Sequence, residues 1–423
     1  MDNQRNLIFA VVLCGLMILL YDSAISYFYP APPESEQAER ATTPEQRAAQ
    51  EIANETGVAP SVAQQAVDLD EALASGNRVA IDAPRVEGSI NLVGARVDDI
   101  ELKDHRATVD EDSGPVQLFA PAGFEMSTWY GISAPAGTPI QNFAQFGFVG
   151  DGTQLPDAKT VWQASSDTLS PGNPVDLRWD NDEGQRFRIR LSIDDNYMIT
   201  AEQTVANYGE GPVVVSPFAT ITRTSLTASK STWISHSGPI GTFGGTVDYG
   251  VDYEDLAEDG PVSGEGQAAW LGFTDIYWLG ALVPEAGSSP DTGFRSLGND
   301  LFRADLIYDL VTLRPGRQIT RSSQLFAGAK ESGVLDAYQD AGIAQFGLAI
   351  DWGWFRWFEK PILWLLRQIF SVVGNFGVAI ILLTCVVRGL MFPIAQKGFS
   401  SMASMKAIQP DMKKLQEKHK DVK

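Results

Sequence analysis

Phe376-Gly-Val-Ala-Ile-Ile-Leu-Leu-Thr-Cys-Val-Val-Arg388-Gly-Leu-Met-Phe-Pro393 is an apolar run that carries a single charge. Widened to Val372–Phe392, it has the roughly 20 apolar residues that a helix needs to cross a hydrocarbon layer. Arg388 stands inside it. On insertion scales an arginine at the centre of such a helix costs roughly 2.5–3.5 kcal/mol, so arginines at this depth usually face a protein interior, a wet cavity or a polar partner. Two roles are open at this point. The long stem could snorkel its head to the nearer headgroups, or the guanidinium could serve a polar site. Thr384 lies one helical turn before it on the same face. Its hydroxyl could serve the same site or bond back to its own helix.

Outward from that run the charge divides sharply. The 423 residues sum to −21; residues 1–29 carry −1 and residues 351–423 carry +6, which leaves −26 in residues 30–350. So acidic a middle disfavours nucleic acid and suits a solvated domain. After the run come Lys397, Lys406, Lys413, Lys414, Lys418, Lys420 and Lys423 against three acids. The positive-inside rule puts that end in the cytoplasm. The two cysteines, Cys14 and Cys385, both sit in apolar runs and read as small apolar filler, so neither a disulfide framework nor a thiolate metal site is expected.

The opening Leu7–Phe28 is apolar apart from Asp22 and Ser23, with Tyr21, Tyr27, Phe28 and Tyr29 at its end. It reads as a signal peptide or an uncleaved anchor, residues 1–29. With a second span at 372–395, both chain ends fall in the cytoplasm and the acidic region outside. Residues 30–76, rich in Pro, Ala, Glu and Gln and without aromatics, read as a disordered tether. Residues 77–347 hold 31 of the 39 glycines, which favours many turns. Strands are expected at Arg186–Ile193, which alternates Arg-Phe-Arg-Ile-Arg-Leu, and at Gln117–Ala120, Val213–Ile221 and Asp305–Val311. A helix is expected within Ala329–Ala341. Gly238–Gly250 is expected to be a flexible loop. The architecture this implies is a large antiparallel sandwich. Residues 348–371 concentrate Trp352, Trp354, Trp357 and Trp364 among charges, as an interfacial amphipathic helix does. Residues 396–423 show Met402, Met405, Ile408, Met412 and Leu415 at helical spacing, an apolar stripe that needs a partner.

Four stretches together carry a resemblance: Asp351-Trp-Gly-Trp-Phe; Val373-Gly-Asn-Phe-Gly377; Thr384-Cys-Val-Val-Arg388-Gly-Leu-Met-Phe-Pro393; and Ser401-Met-Ala-Ser-Met-Lys-Ala-Ile-Gln-Pro410. With the opening Met1-Asp-Asn-Gln-Arg5-Asn-Leu7, they resemble the YidC membrane protein insertases of Gram-negative type. The resemblance implies a membrane protein: two transmembrane helices, an interfacial helix and a large periplasmic, mainly β domain, an antiparallel β-supersandwich with a closing helix. It implies that the second span is the first of five core helices around a hydrophilic groove open to cytoplasm and lipid. Arg388 matches the groove arginine, with Thr384 as a second substrate contact, and residues 396–423 begin a cytoplasmic basic hairpin. The implied partners are nascent membrane proteins, Sec translocon components, a ribosome for the full-length protein, and the lipid bilayer of the inner membrane. No cofactor, metal, nucleic acid or enzymatic activity is implied. The remaining core helices lie beyond Lys423, so the chain is expected to be a truncated form.

Counted along the helix, Arg388 is 12 residues, about 18 Å, from Phe376 and nine before Lys397, which sets it toward the cytoplasmic side. The competing class is a membrane-anchored periplasmic carbohydrate-binding or sugar-converting domain. Residues 77–347 hold only His105 and His236, and no G-x-S-x-G, H-E-x-x-H or P-loop. A pocket grouping either histidine with a carboxylate is the feature that would favour that class.

Overall fold

A computed structural model describes residues 73–74 and 77–418 except 109–112, 126–127, 130–131, 134–138, 229–235 and 265. The expected anchor at 1–29 and most of the expected tether at 30–76 lie outside the described residues. The described chain divides into two compact units, up to Ile350 and from Asp351.

Gln185–Ile193 alternates as its sequence predicts: Gln185, Phe187, Ile189, Leu191 and Ile193 are buried, and the arginines between them face outward. It pairs antiparallel with Met198–Asn207 and Val175–Asp180. Repetition of this pattern builds two sheets of eleven and nine strands. In the larger sheet Val213–Thr224 lies between Pro139–Asp151 and Leu301–Ile307; in the smaller, Arg317–Ala329 lies between Met198–Asn207 and Trp278–Pro284. Named strand pairs are antiparallel except Arg78–Asp82 with Thr168–Leu169. Phe148, Ala219, Ile221 and Leu306 of one sheet and Phe187, Leu191, Leu282 and Leu325 of the other belong to one buried cluster. The fold is thus a mainly β, sandwich-like domain.

Two expectations are corrected. Gly238–Gly250 is not a flexible loop. Gly238–Phe243 and Thr246–Asp248 form a hairpin in register, Phe243 opposite Thr246. The two turn residues Gly244 and Gly245 have φ of 55° and 84°, the left-handed pair that a tight hairpin with twisted strands requires. The glycines there make the turn. The expected strand at Asp305–Val311 is two strands, Leu301–Ile307 and Val311–Leu313, on the same neighbour. That neighbour has Pro217, which lacks an N–H, between its two pairing stretches. Opposite it, the Tyr308 N–H still donates to the Pro217 carbonyl at 3.1 Å, but no bond can return; the Tyr308 hydroxyl accepts from the Glu285 N–H at 2.9 Å and donates to the Ser322 carbonyl at 2.6 Å.

Among the described residues, two complete α-helices belong to this unit. α1, Tyr253–Glu258, starts on a capping box in which Asp252 and Asp255 exchange side-chain and backbone hydrogen bonds. α2, Ser332–Asp340, lies within the expected 329–341. It closes over a nest of rings: Phe346 sits 5.2 Å from Phe326 and 5.4 Å from Trp270, and Tyr338 sits 5.8 Å from Phe326. The Tyr338 hydroxyl donates to Asp194 at 2.6 Å, and burial together with that bond pushes the phenol well above its ordinary range.

The second unit is helical. A 3-10 turn at Gly353–Phe355 leads into α3, Arg356–Val373. Gly374 ends α3 with φ 69°, and its N–H donates to the Phe370 carbonyl at 2.7 Å. Asn375 then opens α4, Phe376–Lys418: its side chain accepts from the Val378 N–H at 3.1 Å and its carbonyl from the Ala379 N–H at 3.0 Å. The Val-Gly-Asn-Phe-Gly stretch is therefore a helix stop followed at once by a helix start. Phe370 and Phe376 clasp the corner, ring centroids 4.5 Å apart.

Candidate functional site

α4 contains the described segment long and apolar enough to cross a membrane, Phe376–Met402, 27 residues. Arg388 lies 12 residues after its first residue and 14 before its last, about 18 and 21 Å by helical rise. The described helix also includes Lys397, nine residues after Arg388. The helix starts at Phe376, after the Gly374 stop, and Pro393 does not end it.

Arg388 and Thr384 share one face of α4, and both are exposed. The Thr384 hydroxyl donates to the Ile380 carbonyl at 2.8 Å, one turn back. Its hydrogen is thus used within the helix, and its oxygen keeps acceptor capacity outward. Among the described residues Arg388 takes part in no ion pair.

The histidines of the β domain differ from one another. His236 lies 2.7 Å from the Pro239 carbonyl, its ring edge-on to Tyr249, and among the described residues it bonds to no carboxylate. His105 does meet a carboxylate: its Nε2 is 3.3 Å from Glu331 Oε1 and 3.4 Å from the Tyr197 hydroxyl. Glu331 also accepts from Tyr197 at 2.9 Å and pairs with Arg85, which binds Asp104 at 2.9 Å and lies over the Tyr197 ring. Burial pushes the Glu331 carboxyl up, but the Tyr197 bond and the Arg85 charge outweigh it and hold the group below its usual range. Burial and the bond to Glu331 push the Tyr197 phenol far up. This cluster is a clasp: it ties residues of both sheets to the residue that precedes α2. The groove of about 700 Å³ elsewhere in the domain is lined by Ala268, Val283, Glu285, Gln324 and Ile343 among others, and by neither histidine. His105 thus meets a carboxylate but does not line that groove. Sequence alone could not find the clasp, because Arg85 and Glu331 are 246 residues apart.

Residues 78–365 match the family model of the YidC periplasmic domain, and residues 368–423 match that of the 60Kd inner membrane protein. The chain belongs to the YidC membrane protein insertase family. A membrane protein insertase YidC of Zymomonas mobilis is 38% identical over 99% of this chain and 69% of its own length. That of Bradyrhizobium diazoefficiens is 37% identical over 100% of this chain and 71% of its own. The YidC periplasmic match runs from the β domain into α3, and the inner membrane match takes up the chain within α3. Among solved structures, a galactose mutarotase-like protein from Lactobacillus casei superposes with TM-score 0.39 at 11% identity, covering 59% of this chain and 100% of that one. A likeness of that size carries no argument about chemistry.

Proposed function

We propose that this chain receives polar segments of membrane proteins during their insertion, and that Arg388 is the receiving group. As a YidC insertase it acts on membrane proteins within the bilayer, and its second unit belongs to an inner membrane protein family. The observation that carries the reading is an exposed arginine, in no ion pair among the described residues, inside a 27-residue helical segment apolar enough to cross a membrane. A substrate tail that crosses hydrocarbon loses water from each polar group. A hydrated groove that reaches to Arg388 shortens the dry path. The guanidinium offers donors only, so it receives carboxylates and carbonyls. Thr384, with its hydrogen committed to Ile380, adds an acceptor on the same face. The contact must stay wet and weak, since a dry pair would hold the substrate.

In this reading the β domain is periplasmic, α3 lies in the membrane interface with Trp357 and Trp364 outward, and both chain ends are cytoplasmic, in a multi-pass whole. Sec translocon components and a ribosome are partners of the complete assembly. No bond is made or broken, so the protein is not an enzyme. Arg388→Ala in the complete protein should impair insertion of substrates with short acidic tails, and Arg388→Lys should retain part of the activity. Undiminished insertion by the alanine variant would sink the role of Arg388.

A further inference from the structure

Pro393 lies inside α4, which runs unbroken on both sides of it. In an α-helix the N–H of residue 393 would donate to the carbonyl of residue 389, and proline has no N–H. The residue robbed of its donor is Gly389, directly after Arg388. Gly389 is exposed, and nothing lies within 4 Å of the place a Cβ would take, so the space beside this backbone is open. In water a free carbonyl is of little account. Within the apolar segment Phe376–Met402 it must find a donor or bear the full cost of desolvation.

We propose that the Gly389 carbonyl is a second polar contact of the insertion site, an acceptor paired with the Arg388 donor. The chemistry divides between them. A segment that crosses in extended form presents both C=O and N–H groups. Arg388 can serve the carbonyls and carboxylates but has no acceptor for an N–H. The Gly389 carbonyl serves the N–H groups, and holds water when no substrate is present. This rests on the Arg388 reading but is tested apart from it.

The test uses the intact chain in phosphatidylethanolamine–phosphatidylglycerol vesicles, with Gly389 carrying a ¹³C=¹⁸O label. Infrared spectroscopy should find that carbonyl hydrogen-bonded to water, its band shifting in D₂O. A dry, unshifted band would overturn the inference whether or not Arg388 matters. Pro393→Ala restores the missing N–H; it should return the band to the ordinary helical position and lower insertion of uncharged polar tails roughly tenfold in the complete protein, the worth of about one such hydrogen bond. Replacing Pro393 with the hydroxy-acid analogue of alanine removes the N–H again without the ring, and should restore both readouts. Normal insertion by Pro393→Ala, or failure of the hydroxy-acid analogue to recover it, would overturn the inference, the latter in favour of the ring's effect on helix shape.

Discussion

The β domain and the membrane helix treat arginine in opposite ways. Arg223 is buried, 2.6 Å from an equally buried Asp275. Arg303 is fully enclosed beside Asp305, which also pairs with Arg295. Arg388 stands on an apolar helix and, among the described residues, in no ion pair. The first two are closed: each charge is matched inside the fold, and burial pushes the Arg303 guanidinium down while Asp305 pulls it back. The third is open. The contrast teaches that a charge is structural when its counter-charge is built into the fold; the proposed receiving role of Arg388 needs a charge that is not so matched.

The comparison breaks most forcefully in the β domain. Asp275→Ala strips Arg223 of its partner and should cost about 3–5 kcal/mol, the usual loss when one half of a buried pair is removed. Chemical denaturation of the purified chain measures it; a loss under 1 kcal/mol would show the pair to be less closed than its geometry. Arg388→Ala should do the reverse, leaving the denaturation midpoint of the β domain unchanged while insertion of acidic-tailed substrates falls roughly tenfold or more, as expected for a hydrogen bond to a charged group. The clasp sharpens the contrast by pH. Glu331 has its carboxyl held below the unfolded value of 4.5, so its contribution is present above that value and lost as pH falls through the lowered folded value. Thermal melts from pH 6 downward should show a weaker acid dependence in Glu331→Gln; identical slopes would remove the clasp from the acid sensitivity. Smallest is Gly245→Ala. Its φ is 84° with nothing within 4 Å of the added methyl, so backbone conformation alone should cost roughly 1–2 kcal/mol. An unchanged midpoint would restore the loop reading of 238–250.

Legibility followed the same division. Gln185–Ile193 could be read because one face is core and the other solvent, so its residues alternate. Leu301–Ile307 could not: every residue is buried, two of them charged, and only Asp305 beside Arg303 makes that tolerable. The glycines of 238–250 suggest looseness by composition alone, whereas two of them form a tight turn. Arg388 announced itself because a charge in an apolar run needs no partner to be conspicuous. The clasp of Arg85, His105, Tyr197 and Glu331 had no local signal at all.

The sequence by itself determined the two textures of this protein: an acidic, turn-rich β region, and a helix apolar enough to cross a bilayer with one arginine in it. It also determined the corner between α3 and α4, because the Gly374 stop and the Asn375 start act within a few residues. Only the tertiary structure decided which charges are closed. Whether Arg223, Arg303 or Glu331 is paired depends on strands and loops brought together from far along the chain, and the energy of a charge is set by what surrounds it once they meet.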